Sequence, residues 1–294
     1  MKSRRYSAIL FLLALALLLS AGCSTTNTLC DITSISDNHF SCTFGSVEHD
    51  FIIELPADPE GSPIVLMLPG YGGTAESFRQ DTAFHVQANS LGYTVVYVTG
   101  SPDPNDKTSA TCWNHNADED GNNDVGFLIA LASYIHTTYK TDSERCFAVG
   151  FSNGAFMCHR LAIEASDSFA AVVSVAGSMS ENPWRDRPKR NNVGILQMTG
   201  EKDDVIPKES DGSARYSRSP AIEDVIDYYI SSNNLGNEIS ESIGNDSTII
   251  KYSGDHSDVY VWHLLVDDGR HSWSAESITG IDTNALVLEF LNLY

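Results

Sequence analysis

The stretch Arg145 to Ala155 limits what this chain can fold into more than any other. An apolar run, Cys146-Phe147-Ala148-Val149, ends in Gly150-Phe151-Ser152-Asn153-Gly154 and passes at once into residues of helical pattern. Strand, sharp turn and helix in that order is the setting in which Gly-x-Ser-x-Gly holds a serine in a strained turn. The two glycines matter there because side chains at those positions would collide with the backbone of the neighbouring strand and helix. Ser152 is therefore a candidate nucleophile. A serine in an ordinary glycine turn is the other reading of these five residues taken alone.

The rest of the chain alternates between strand and helix patterns. Asp50 to Leu55 reads as a strand, and Ile64 to Leu68 as a strand buried on both faces, running into the glycine-rich turn Pro69-Gly70-Tyr71-Gly72-Gly73. A helical pattern covers Ala75 to Ser90, and a strand covers Tyr93 to Val98. A long loop follows from Gly100 to Asn123, and Asp124 is placed to cap a helix over Val125 to Tyr139. After the serine come a helix from Asn153 to Glu164, strands at Phe169 to Gly177 and Val193 to Gly200, and a helix from Pro220 to Asn233. Late strands over 239 to 266 and a closing helix from Thr283 to Leu293 complete the order. This alternation predicts an α/β fold, a mostly parallel central sheet with helices on both faces. No repeat or long linker divides it.

Residues 1–22 read as an export signal. Lys2, Arg4 and Arg5 precede an apolar run, Ile9 to Leu19, that is too short to span a bilayer comfortably. Leu18-Leu19-Ser20-Ala21-Gly22-Cys23 resembles a bacterial lipoprotein signal, which implies lipidation of Cys23; ordinary cleavage and free secretion is the alternative. The expected location is outside the cytoplasm, as a cell-surface lipoprotein or a secreted protein. Membrane contact is expected only through a lipid on Cys23. The polar residues 23–45 read as a tether or surface segment, and 46–294 as one domain. The formal charge of −21 falls to −24 once Lys2, Arg4 and Arg5 are removed, which disfavours nucleic acid and anionic lipid as partners. An oxidising location would allow disulfides, with Cys30 to Cys42 as one expected bridge and Cys112 to Cys158 as a second. Cys146, in the apolar strand, reads as a buried small hydrophobe.

A nucleophilic serine needs a base, an acid that orients the base, and donors for an oxyanion. The charged run Glu201-Lys202-Asp203-Asp204 follows the Val193 to Gly200 strand and offers the acid, but the residues alone do not separate Asp203 from Asp204. Of nine histidines, His271 lies in a loop after a late strand and before the final helix, whereas His115 precedes the serine, which is the wrong order. Asn116 to Asp124 imitates the first positions of a calcium loop, but Phe127 stands where the twelfth position needs a glutamate. It is read as an acidic surface loop, with no metal and no cofactor expected.

These pieces resemble the α/β-hydrolase esterases that include poly(3-hydroxybutyrate) depolymerases, feruloyl esterases and acetylxylan esterases of carbohydrate esterase family one. The likeness rests on Leu68-Pro69-Gly70-Tyr71-Gly72-Gly73, Cys112-Trp113, Asp124-Val125-Gly126-Phe127, Gly150 to Gly154, Phe169-Ala170-Ala171, Gly200-Glu201-Lys202-Asp203 and His271-Ser272-Trp273. The resemblance implies an α/β-hydrolase catalytic domain, with Ser152 as nucleophile, Asp203 as acid and His271 as base. It also implies oxyanion donors from the backbone N–H of Tyr71 and of Asn153. The family usually has His-Gly where this chain has Pro69-Gly70. Trp113 and Trp273 are candidates for a substrate-facing aromatic surface, with Trp184 a third.

The implied activity is serine hydrolysis of carboxylic esters. Feruloyl or acetyl esters on plant cell-wall polysaccharide lead, because no separate polymer-binding domain follows in the sequence. A hydroxybutyrate polyester or oligomer is the alternative substrate. A peptidase on the same fold, and a non-catalytic surface-anchored binding protein, are the other readings.

Overall fold

Ile64 to Leu68 is apolar throughout because successive side chains enter opposite hydrophobic cores: Leu66 faces one, and Val65 and Met67 face the other. The computed structural model describes residues 28–104, 106–209, 219–273 and 276–294. The expected signal and Cys23 lie outside them.

The strands are β1 (Leu29–Ser34), β2 (His39–Phe44), β3 (Val47–Glu54), β4 (Ile64–Leu68), β5 (Thr94–Val98), β6 (Ser101–Pro102), β7 (Thr111–Cys112), β8 (Cys146–Phe151), β9 (Ala171–Val175), β10 (Gly194–Gly200), β11 (Asn237–Ile243), β12 (Ser247–Gly254) and β13 (Ser257–Val266). The helices are α1 (Ala75–Thr82), α2 (Phe84–Ser90), α3 (Asp124–Tyr139), α4 (Asn153–Glu164), α5 (Glu181–Asp186), α6 (Ile222–Ser232), α7 (Glu276–Thr279) and α8 (Thr283–Leu291). Apart from the small hairpin of β6 and β7, the strands form one sheet in the order β1-β2-β3-β5-β4-β8-β9-β10-β13-β12-β11. Its centre, from β5 to β13, is parallel, and antiparallel strands extend both ends. One face is covered by α3, α4 and α6, the other by α1, α2 and α8. The expected architecture is therefore the one present.

Three local expectations change. Residues 29–44, read as part of a tether, form β1 and β2, because Phe40, Cys42 and Phe44 alternate with polar residues and pack inward. The pattern over Ala75 to Ser90 is two helices, divided at Ala83, where φ is 44°. That break turns the chain so that Phe78 and Phe84 both enter the same core. The cap of α3 is Asn123, whose side-chain oxygen accepts from the Gly126 N–H at 3.1 Å, and Asp124 is the first helical residue.

Neither expected disulfide forms. Cys42, Cys112 and Cys158 carry free thiols. Cys30 is paired in register with Thr43, so its side chain shares the face of Thr43, and Cys42 points to the other face, into the core. Cys158 is fully buried on the sheet side of α4, whereas Cys112 lines a cleft above it. Cys146 is buried as expected, and burial pushes its thiol up to about 12.

Candidate active site

β4, β8, β10 and β13 all present their C-terminal ends to the same edge of the sheet, where ligands bind in open α/β folds. Each end carries one part of the site. At the end of β8 the backbone of Ser152 has φ 53° and ψ −118°, a strained conformation for a residue with a side chain. The serine N–H donates to the Val175 carbonyl at 2.9 Å, and α4 begins at the next residue. A Cβ on Gly150 would lie 2.2 Å from the Gly154 carbonyl oxygen, and one on Gly154 would lie 2.1 Å from that of Leu68. Strand and helix can meet at this angle only with glycine at both positions.

The loop after β10 carries Asp203, and the loop after β13 carries His271. The two loops are joined by the Lys202 N–H, which donates to the Gly269 carbonyl at 2.8 Å, and by the Glu201 N–H, which donates to that of Val266 at 3.1 Å. His271 Nε2 is 2.9 Å from Ser152 Oγ, and His271 Nδ1 is 2.9 Å from Asp203 Oδ2. The other oxygen of Asp203 accepts from the N–H groups of Val205 and Ile206 at 2.9 and 2.8 Å. These bonds hold a buried carboxylate in one orientation and separate it from Asp204, which is exposed. Ser152, His271 and Asp203 are thus brought together as expected, and the adjacent aspartates are told apart.

The turn after β4 lies against the serine: a Cβ on Gly70 would touch Ser152 Cβ at 3.3 Å. Tyr71 and Asn153 border the same cleft as Ser152. Asn153 opens α4, so its N–H has no acceptor within the helix. The turn is held from above by the loop containing β7. The Thr111 carbonyl accepts from the Gly72 N–H at 2.7 Å, and the Thr111 hydroxyl donates to the Gly73 carbonyl at 2.6 Å. The Tyr71 hydroxyl donates to Asp106 at 2.7 Å and Asp103 at 3.1 Å, and these carboxylates raise the pKa of the exposed phenol, that of Asp106 most.

Trp113 lines the cleft, as a substrate-facing residue would, and is also part of this fastening. It is buried; its indole N–H donates to the Pro69 carbonyl at 3.0 Å, and its backbone N–H donates to the Asn153 side chain at 2.7 Å. One residue thereby ties down the Asn153 side chain and the Pro69 carbonyl, two residues before Tyr71. Trp273 differs from expectation. It packs edge-on against Phe78 and donates to Asn284, so it anchors the His271 loop to the helices below. Trp184 packs under the Arg187 guanidinium and beside Tyr228.

The cleft has a volume of about 920 Å³. Its lining includes Asp103, Asp118, Asp124, His115, Ser180 and Glu181, none of which sequence reasoning selected as site residues. Position in the chain excluded His115 as a base and gave no sign of its place on the wall. Asp124 is buried and accepts from the Ser101 hydroxyl at 2.7 Å and the Asn114 N–H at 2.6 Å. Burial raises its pKa, against those two bonds and the nearby Arg160. The calcium-like stretch is shaped by such bonds: the Asn114 side-chain amide donates to the carbonyls of Asp118 and Asn122. Ser219 reaches the cleft, and residues 210–218 lie outside the described residues.

Residues 51–183 match the model of the family described as Esterase PHB depolymerase. "Putative esterase NocK" of Nocardia uniformis subsp. tsuyamanensis is 33% identical over 159 residues, 52% of this chain and 43% of that protein. Feruloyl esterase B of Talaromyces funiculosus is 29% identical over 142 residues, 48% of this chain and 39% of that protein. The matched part therefore spans less than half of either relative. Among solved structures, an acetyl xylan esterase from Aspergillus awamori superimposes with a TM-score of 0.62 at 13% identity, covering 84% of this chain and 94% of the other. The fold is that of the α/β hydrolases.

Proposed function

We propose, taking residues 51–183 as an esterase PHB depolymerase domain, that this protein is a serine hydrolase of carboxylic esters. The observation that carries the reading is the pair of 2.9 Å contacts linking Ser152 to His271 and His271 to Asp203 at the mouth of an open cleft. In the resting site Ser152 Oγ–H donates to Nε2, and Nδ1–H donates to Asp203. As Oγ attacks the ester carbonyl, its proton passes to Nε2. The imidazolium, held by the carboxylate, then returns that proton to the departing alkoxide. Water repeats the sequence on the acyl-enzyme and releases the acid. The N–H groups of Tyr71 and Asn153 stabilise the oxyanion formed in each half. Replacing the family's usual His by Pro69 leaves this donor set in place, since Pro69 contributes its carbonyl to Trp113 and the donor follows Gly70.

Feruloyl or acetyl esters on cell-wall polysaccharide are the leading substrates, and hydroxybutyrate oligomers the alternative. The names of the relatives support the first and the family description the second. Hydrolysis of p-nitrophenyl acetate, labelling by a fluorophosphonate, and turnover of methyl ferulate, acetylated xylan and hydroxybutyrate oligomers test the reading. The Ser152→Ala variant should fold, resist labelling and lose at least ~10³-fold in kcat. Retained turnover would sink the assignment.

Export is part of the proposal, carried by Lys2, Arg4, Arg5 and the apolar run that ends at Cys23. Substituting Cys23→Ser should move the protein from the membrane fraction to the soluble exported fraction. An unchanged distribution would leave free secretion as the reading.

A further inference from the structure

The cleft has an arm that the hydrolytic chemistry does not use. Phe156 lies one turn beyond Ser152 on the same side of α4, and both line the cleft. The ring of His115 rests against Phe156, with centroids 5.0 Å apart, and its Nδ1 is 2.6 Å from Ser180 Oγ. Ser180 stands at the N-cap of α5, yet its side chain makes no capping bond and is committed to the imidazole. The other ring nitrogen, Nε2, has no hydrogen-bond partner among the described residues and is not among their polar atoms sealed from solvent. It therefore opens to the cleft that His115 lines.

We propose that His115, oriented by Ser180, is a specificity-determining residue that hydrogen-bonds a hydroxyl group of the ester about one helical turn from Ser152. The inference rests on the serine-esterase reading. A hydroxyl suits Nε2 in either tautomer because it both donates and accepts. If the Ser180 hydroxyl donates to Nδ1, Nε2–H donates to the substrate; if Nδ1–H donates to Ser180, Nε2 accepts. Burial lowers the His115 pKa to about 4, with Asp118 pulling the other way and Arg160 adding to the fall, so the ring is neutral at neutral pH. An uncharged ring does not serve as counter-ion to a carboxylate. Nor does an apolar chain satisfy Nε2: it would strip water from the nitrogen without replacing the bond.

Two matched pairs of probes test this in the full-length enzyme. A monoacetylated methyl xyloside against cyclohexyl acetate places hydroxyls on the alcohol side. Methyl 3-hydroxybutyrate against methyl butyrate places one on the acyl side. The readout is the ratio of kcat/KM within each pair. His115→Phe keeps the packing on Phe156 and removes the bond; in one pair it should lower the preference for the hydroxylated ester about ten-fold, mainly through KM. Ser180→Ala should lower the same ratio several-fold, and His115→Gln should restore part of it. The pair that responds identifies the side of the ester recognised. Ratios unchanged in both pairs overturn the proposal, even if every rate falls, and Ser180→Ala decides the matter should His115→Phe fail to fold. Wild-type enzyme inert toward all four esters would instead remove the esterase reading, and this inference with it.

Discussion

At Ser152 the chain accepts a backbone conformation that glycine adopts freely and serine does not. Strain of this kind costs ~1–3 kcal/mol, against ~0.5–1 kcal/mol for the extra freedom a glycine loses on folding. Ser152→Gly should therefore be more stable than Ser152→Ala by about 1 kcal/mol while both are inactive, as chemical denaturation with equal m-values would register. Equal stability would mean that the surrounding packing, not the turn, sets the cost. The serine was legible from the glycines around it, and the histidine from chain order. Which aspartate serves came only from the family resemblance, since Asp203 and Asp204 are chemically the same until the Val205 and Ile206 N–H groups select one. The second role of Trp113, as a tie on the turn after β4, was hidden for a related reason. An indole near a site has one polar atom, and its role follows from where that atom points, here to Pro69.

Among the elements, the loop from β6 to α3 acts as a fastening for the donor turn, and Trp113 is the positioning residue at its centre. Replacing Trp113→Phe keeps most of the buried ring and deletes only the bond to Pro69. We expect kcat to fall ~10-fold or more with KM little changed, less than the ~10²- to 10³-fold typical when a donor is lost outright. Stability should fall by only ~1 kcal/mol. A rise in KM at constant kcat would place Trp113 on the substrate-binding surface instead. The parallel strands were readable because burial on two faces leaves unbroken apolar runs, as in β4 and β9. β1 and β2 were hidden by their position at the sheet's edge, where one face is wet and polar residues dominate the count. The alternation of Phe40, Cys42 and Phe44 was the signal present.

Over the molecule as a whole, His49, His115, His159 and His263 are held neutral by burial, each lowered from 6.5 to about 4. The last two belong to one internal chain. His159 on α4 meets Gln197 on β10, whose amide donates to the Gly177 carbonyl and to Thr199, and Thr199 meets His263 on β13. The unfolded chain binds protons to these imidazoles near pH 6.5 and the folded one does not, so stability is lost as pH falls from about 6.5 toward 4. Each contributes a slope of up to about 1.4 kcal/mol per pH unit. Denaturation midpoints at pH 7, 6 and 5 should fall steadily, and high salt should leave the slope in place while it screens the acidic surface. A flat profile would mean that these rings take up protons without unfolding. Such a network spans β10, β13 and α4, elements that only the folded topology makes neighbours, so no local pattern announced it.

The antiparallel strands added at the start of the chain set a distance. From β1 to β8 there are five steps across the sheet, and at ~4.8 Å per step Leu29 is held roughly 24 Å to the side of the nucleophile. A support joined upstream of that edge would hold the molecule by its flank, with the cleft set off to the side of the point of attachment.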